Sequence, residues 1–295
     1  MNICVIGGAN VEICATSAGP FVAADSNPGT VRMSPGGVGR NIAHNLALLG
    51  DRVRLVTIFG DDSLGRMLRD SCISAGLDLK LSQVVKGARN ACFVSLNGSD
   101  GELLGGVADM AVTGLMTPEW LEARLPKINE ADAVVADTNL PADTLSLLVG
   151  ACLPPLYIDA VSSAKVVRLR EALSSPRFPG AGALSVKCNR LEAEVLGFHS
   201  HEANPAAVPS AIHRLYVSLG SEGLKIIEDG NVTAYPALPV TGIVSATGAG
   251  DALLAGIVHA GPEAPAEDAA ALGLKCARLA MQSPEAVADS IRTLA

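Results

Sequence analysis

Aromatic residues are scarce in this chain of 295 residues: five Phe, three Tyr and one Trp, or 3% in all. Proteins that hold single-stranded nucleic acid stack its bases on several exposed rings, so that class of function is disfavoured. Positive charge is short as well. Lys and Arg number 22 against 30 Asp and Glu, a formal charge of −8, whereas a phosphate backbone demands a basic face. No nucleic-acid partner is expected. Any anionic ligand must be gripped locally, by backbone amides, a metal or a few cations.

Paired cysteines are missing too. Cys4, Cys14, Cys72, Cys92, Cys152, Cys188 and Cys276 are odd in number, scattered and never in a C-x-x-C pair, which reads as reduced, mostly buried thiols of a cytosolic protein. The one close histidine pair, His199 and His201 beside Glu202, reads as a surface loop and not as a zinc site. No run reaches the roughly 18 apolar residues of a membrane span. The chain opens on the strand-like Ile3-Cys4-Val5-Ile6, with no basic region or cleavage site before it. A cytoplasmic protein without a membrane partner is expected.

What is abundant is apolar: 49% of the chain, with 18% charged, enough for a sizeable core and against long disorder. Short apolar runs near 2–6, 53–58, 133–136, 156–159, 183–186 and 214–219 alternate with helix-period segments. Helices are expected near 38–49, 63–75, 118–125, 142–150, 190–197, 204–212, 249–260 and 265–281. That rhythm predicts an α/β fold with a parallel-rich central sheet and crossover helices. After Gly223 a hairpin is expected through Asp229-Gly230. Residues 11–35 and about 79–112 lack helical periodicity and carry several Gly, Asn, Ser and Asp residues. They are expected to form a small β-sheet lid at one edge of a single domain spanning 1–295.

The run from Ala246 through Thr247, Gly248, Ala249, Gly250 and Asp251 to Gly256 is a glycine-rich turn entering an apolar helix. The first amides of a helix lack intrahelical partners and carry the positive end of its dipole, so an anion can bind there. A carboxylate beside that anion is unfavourable unless it works, and its natural work is to take a proton from an attacking hydroxyl. Ordinary helix capping would also account for this segment alone. A second run, Gly36-Gly37-Val38-Gly39-Arg40-Asn41-Ile42-Ala43, leads into another helix, and Gly60 follows further on. It lacks the Gly-Lys-Ser/Thr of a Walker loop, and Ile42 occupies the third glycine position of the dinucleotide fingerprint.

Together, the two runs resemble the ribokinase (PfkB) carbohydrate kinase family: Gly36 to Gly60 resembles its N-terminal signature and Thr247 to Gly256 its C-terminal one. Lys187-Cys188-Asn189-Arg190-Leu191-Glu192 is similar to the family's Asn-x-x-Glu segment, and Val217 to Gly223 to its nucleotide-side strand and turn. The resemblance implies a ribokinase-like fold, helices on both faces of the central sheet, ATP as co-substrate and Mg²⁺ as cofactor. It implies Asp251 as the base and the amides of Gly248, Ala249 and Gly250 as the anion hole. Asn189 and Glu192 would organise Mg²⁺ through its water shell, while Ser218, Gly220, Gly223 and Thr247 would line the ATP site. Adenine contacts are expected from the last helices, near Lys275 to Ser283. Gly36, Gly37 and Asn41 would hold sugar hydroxyls. Asp25-Ser26-Asn27-Pro28-Gly29 and Ala108-Asp109-Met110 are similar to the branch of the family that phosphorylates the 5′-hydroxyl of pseudouridine. Asp25, Asn27 and Asp109 would then read the polar edges of uracil, and Met110 would meet its ring.

Another nucleoside or a free pentose stays open as the acceptor, as does a non-catalytic nucleoside- or sugar-binding protein. A homodimer through the lid is a further implication. Three departures stand out: Glu12 where the family usually has a sugar-binding Asp, Cys188 for a usual proline, and Ser245 where many relatives carry an acidic residue. The last is associated with a monovalent cation, so dependence on one is left open.

Overall fold

In β1 (Asn2–Ile6), Ile3 and Val5 face one way and Cys4 and Ile6 the other, and all four are buried. A strand that is apolar on both faces needs cover on both, which is the condition of a parallel sheet between layers of crossover helices. The computed structural model, which describes residues 1–174, 182–198 and 209–295, has this form. Along the chain follow β2 (Asn10–Ser17), β3 (Gly29–Gly36), β4 (Arg52–Val56), β5 (Ile58–Gly60), β6 (Gln83–Val85), β7 (Cys92–Asn97) and β8 (Leu103–Asp109). Then come β9 (Ala133–Asp137), β10 (Leu156–Asp159), β11 (Leu184–Asn189), β12 (Arg214–Ser218), β13 (Leu224–Glu228) and β14 (Asn231–Tyr235). Among the described residues, eight strands form the main sheet in the order β14-β13-β12-β11-β10-β9-β1-β4. The run from β12 to β4 is parallel. The hairpin of β13 and β14 closes the other edge antiparallel through Asp229-Gly230.

Helices cover both faces. On one side lie α1 (Val38–Leu48), α2 (Ser63–Ser74), α8 (Ala249–Ala260) and α9 (Ala266–Met281), with Leu46, Leu68, Leu254 and Ala270 in one core with Val5, Leu55 and Val135. On the other lie α3 (Pro118–Glu122), α4 (Leu125–Ile128), α5 (Ala142–Ala151), α6 (Val166–Leu173) and α7 (Arg190–Val195), with Leu121, Leu148, Leu169 and Ala193 around Ile6, Ile158 and Val186. Among the described residues no helix is long and apolar enough to cross a membrane.

The stretches without helical periodicity supply a separate four-stranded sheet, ordered β3-β2-β7-β8. Its register aligns Met33, Ile13, Val94 and Val107 in one row, and Met33, Val94 and Val107 are exposed. Glu12 and Phe93, paired with each other in the adjoining row, face the opposite way, because successive side chains alternate across a strand.

The structure departs from the expected elements in four places. The strand expected over 53–58 breaks at Thr57, whose amide donates to Ser82 Oγ at 3.1 Å, and β6 pairs with β5 instead of joining the four-stranded sheet. The helix expected over 118–125 is divided into α3 and α4, because Pro126 has no amide to continue a helical ladder. Helix α6 had no counterpart in the sequence reading, although the parallel step from β10 to β11 requires a crossover. Finally, the helix expected over 204–212 lies largely outside the described residues, as do His199, His201 and Glu202; its described end, 209–212, is a turn.

Candidate active site

The carboxyl ends of the parallel strands converge on the start of α8, the usual location of ligands in open α/β sheets. Gly248 caps that helix in the left-handed region, at φ 80°, and a Cβ there would lie 1.9 Å from the Ala286 carbonyl oxygen. Only glycine fits. The Ala249 amide turns back to Ala246 O at 3.3 Å, while the amides that follow in the first turn have no intrahelical carbonyl to meet.

Asp251 is buried in that turn and accepts a hydrogen bond from Asn41 Nδ2 at 2.9 Å. Burial pushes its carboxyl up to about 7; the charges of Asp159 and, to a smaller extent, Asp137 add to the rise, while the Asn41 hydrogen bond and the Lys187 ammonium oppose it. Beneath lies a buried ion pair, Lys187 Nζ to Asp159 Oδ2 at 3.0 Å. Burial works against the Lys187 charge, but the carboxylates of Asp159 and Asp251 outweigh it and raise the pKa. The same ammonium sits 2.7 Å from where a Cβ on Gly250 would be, so the helix start has a cation directly against its glycine.

Asp137, at the end of β9, holds the glycine runs together. Its Oδ2 accepts from the amides of Gly8 at 2.9 Å and Gly39 at 2.8 Å, and its Oδ1 from Asn139 at 2.9 Å. Gly37 has φ 97°, with a would-be Cβ 2.6 Å from Gly8 O. The entry to α1 is thus pressed against the end of β1, which carries Asn41 to Asp251.

Two clefts meet at the turn. One, of about 310 Å³, is lined by Asn10, Glu12, Gly37, Asn41, Asn139 and Lys165 with the apolar Phe93, Met110 and Val161, and reaches Thr247, Gly248 and Asp251. A cavity of about 490 Å³ adjoins it through Met110, Thr113, Asn139 and Lys165 and continues to Arg168. The other cleft, of about 560 Å³, is mostly apolar; Ser218, Gly220, Gly223, Val240, Ile243, Leu274, Ala277 and Met281 line it up to Ala246, Ala249 and Gly250.

Of the residues singled out from sequence, Glu12, Gly37, Asn41, Met110, Thr247, Gly248 and Asp251 therefore share the first cleft, and Ser218, Gly220, Gly223, Ala249 and Gly250 share the second. Thr247 was expected on the ATP side and lines the first cleft instead. Gly36 backs Glu12, whose Oε1 would be 2.5 Å from a Cβ there. Asn189 and Glu192 line neither cleft. They form a capping box at the start of α7, with Asn189 N donating to Glu192 Oε2 and Asn189 Nδ2 to Glu192 Oε1, both at 2.7 Å. Asp25, Asn27 and Asp109 also line none of these cavities. Asn27 closes its own loop, accepting from Val22 N at 2.8 Å and donating to Val22 O at 2.9 Å. Asp25 accepts from the Ser26 amide, and Asp109 pairs with Arg89 at 3.1 Å.

Sequence reasoning missed Asn10, Phe93, Asn139, Val161 and Lys165 on the cleft wall, and the buried group Asp137, Asp159 and Lys187. Their one signal was position: Asp137, Asp159 and Lys187 stand at or near the carboxyl ends of parallel strands. Lys165 donates to Asn139 Oδ1 at 2.6 Å, and burial lowers its pKa. Burial raises that of Glu12, against the pull of Arg40 and with the push of Glu285.

Comparison with known proteins agrees with this geometry. The family model of the pfkB family carbohydrate kinases matches residues 1–293. Pseudouridine kinase of Escherichia coli is 32% identical over 272 residues, 86% of this chain and 82% of that protein. Guanosine-inosine kinase of Exiguobacterium acetylicum is 27% identical over 297 residues, 96% of this chain and 95% of that protein. The structure of Arabidopsis thaliana ribokinase complexed with ribose and ATP superposes with a TM-score of 0.83 at 20% identity, covering 99% of this chain and 96% of that one. The chain belongs to the pfkB family of carbohydrate kinases, phosphotransferases with an alcohol group as acceptor.

Proposed function

We propose that this protein transfers the γ-phosphoryl group of ATP to the 5′-hydroxyl of pseudouridine, giving pseudouridine 5′-phosphate and ADP. The observation that carries the reading is the meeting of two clefts at one helix start: Gly248 and the buried carboxylate of Asp251 line a cleft of sugar size with polar groups on its wall, and Ala249 and Gly250 line an apolar one. The 32% identity to a pseudouridine kinase supports this choice among acceptors.

Asp251 orients the acceptor hydroxyl and takes its proton as the new O–P bond forms and the bond to ADP breaks. A carboxyl raised to about 7 suits that task, because a base works best with a pKa near the working pH. Amides of Gly248, Ala249 and Gly250 and the Lys187 ammonium meet the charge that spreads over the transferred group, the main source of catalysis in such reactions. Asn10, Glu12, Gly37 and Asn41 hold ribose hydroxyls, with Gly36 keeping Glu12 in place. Phe93, Met110 and Val161 flank the base, and Asn139 and Lys165 read its polar edge. Asp25, Asn27 and Asp109 contribute only if closure of the four-stranded sheet releases them from their present partners. Ser218, Gly220 and Gly223 bound the nucleotide cleft, and Ala277 and Met281 offer the adenine an apolar wall.

For Mg²⁺, Asn189 and Glu192 offer no open donor: both oxygens of Glu192 are engaged by Asn189 and the residue is 2% exposed. In this arrangement the capping box does not fit as a metal site, and a cation that arrives on ATP would keep its own water shell. When bound, Mg²⁺ neutralises phosphate charge.

The test is ADP release by the purified protein with Mg-ATP and pseudouridine, uridine, adenosine, inosine, ribose or fructose. Pseudouridine is expected to give the highest kcat/KM, with the phosphate on the 5′ oxygen. A preference for inosine would favour the purine-nucleoside reading suggested by the relative matched over 96% of the chain. Binding of a nucleoside without any acceptor-dependent ADP release would establish a non-catalytic binding protein.

A further inference from the structure

Arg40 stands inside the glycine-rich entry to α1 and has no part in the mechanism above. It is 4% exposed. Among the described residues its guanidinium hydrogen bonds reach only neutral groups: Nη1 donates to Pro35 O at 3.3 Å and to Asn41 Oδ1 at 3.1 Å, Nη2 to Ser71 Oγ at 3.3 Å, and the neutral Cys72 thiol is a further partner. Nε is buried without a partner. Taking a guanidinium out of water without a paired carboxylate is costly, so this placement calls for a compensating role.

Its contact with Asn41 supplies one. A guanidinium has donors and no acceptor, so the end of the Asn41 amide facing Arg40 has to be the oxygen. The nitrogen then has to face Asp251, where Nδ2 donates to Oδ2 at 2.9 Å. Without that grip, the amide could turn its oxygen toward the carboxylate and repel it. Among the described residues no hydrogen bond engages the other carboxylate oxygen, Oδ1, which is left for the acceptor's proton.

We propose that Arg40 is a positioning residue for phosphoryl transfer, fixing the Asn41 amide so that its N–H always addresses the base Asp251. The inference rests on Asp251 being that base. The groups around Asp251 are Asn41 from α1, Asp137 from β9, Asp159 from β10 and Lys187 from β11. Of these, Asn41 is the one Arg40 touches. Arg40 also favours the charged form of Glu12, which Glu285 disfavours from the segment after α9. One side chain therefore supports the base through a hydrogen bond and a cleft carboxylate through its field.

A double-mutant cycle tests this. kcat and KM are measured against pH for the wild type, Arg40→Met, Asn41→Ala and the double variant, using the acceptor with the highest kcat/KM. Arg40→Met is expected to lower kcat about tenfold, the worth of a hydrogen bond to a charged group, and to move the acid limb to higher pH. In the Asn41→Ala background the same change is expected to cost no more than about twofold, because the two residues act as one unit. An equal loss in both backgrounds, or an unmoved acid limb, would overturn the proposal. Arg40→Lys keeps the charge and one donor, recovers part of the loss, and replaces Arg40→Met in the cycle if that variant does not fold. Carboxyl NMR titration of Asp251 in the four proteins needs no turnover: its pKa is expected to rise on Arg40→Met only where Asn41 is present. Absent turnover on every acceptor would refute the kinase reading, while the titration alone still decides the role of Arg40.

Discussion

On the proposed mechanism, Asp251 is held in a state that favours chemistry over stability. Its carboxyl binds a proton more tightly in the folded protein, at about 7, than in an unfolded chain. Between the unfolded carboxylate range and about 7 the folded state therefore carries more bound proton, and stability falls as pH rises through that window. Asp251→Asn is expected to raise the melting temperature at pH above about 7, and to lower kcat by about a hundred- to ten-thousandfold; thermal unfolding and ADP release measure the two. A variant that turns over normally would remove Asp251 from the mechanism. Because Asp251 must be ionised to act as the proposed base, wild-type kcat/KM is expected to level off above about 7 and to fall about tenfold per pH unit below it. Residues at this scale were legible when a backbone constraint surrounded them. Asp251 and Asn41 follow glycine runs whose close approaches leave no room for a side chain, whereas Asn139 and Lys165 follow strands with no such frame. Asp25 and Asn27, expected to read the base, hydrogen-bond within their own loop in this structure.

Elements carry the site by their ends. Helix α8 was recognisable because a glycine turn precedes an uninterrupted apolar run, and its start and finish agree with the sequence reading. Helix α6 was hidden because Arg168, Arg170 and Glu171 intersperse a short apolar face of Val166, Leu169 and Ala172. The α8 entry tolerates no side chain at Gly248, where a Cβ would meet Ala286 O at 1.9 Å. Gly248→Ala is expected to displace the first turn and cost more than the roughly 1 kcal/mol of an ordinary left-handed substitution, with turnover lost ahead of secondary structure by circular dichroism. The Lys187–Asp159 pair joins β10 to β11 beneath that turn. Asp159→Asn leaves a buried ammonium with one carboxylate fewer, so it is expected to cost about 3–5 kcal/mol in denaturant unfolding. It also removes a neighbour that raises the Asp251 pKa, so the acid limb of kcat/KM is expected to move to lower pH.

For the whole molecule, the parallel α/β layering was legible because apolar runs a few residues long recur between helix-period segments. The path of the four-stranded sheet was not, since its parallel pairing of β2 with β7 joins stretches that no local turn connects. That sheet shows the cleft one face, with Glu12 and Phe93, and solvent the other, with Met33, Val94 and Val107 in register. An apolar row of this kind favours a partner, and a second copy is the one we expect. Light scattering should report a dimer, and Val94→Lys with Val107→Glu should report a monomer; a wild-type monomer at high concentration would exclude the contact. The hydrogen bond from Asn41 to Asp251 links positions 210 residues apart. On the proposed mechanism, a nascent chain stays chemically silent until Asp251 has been made and packed against Asn41, and acceptor-dependent ADP release doubles as a readout of completed folding.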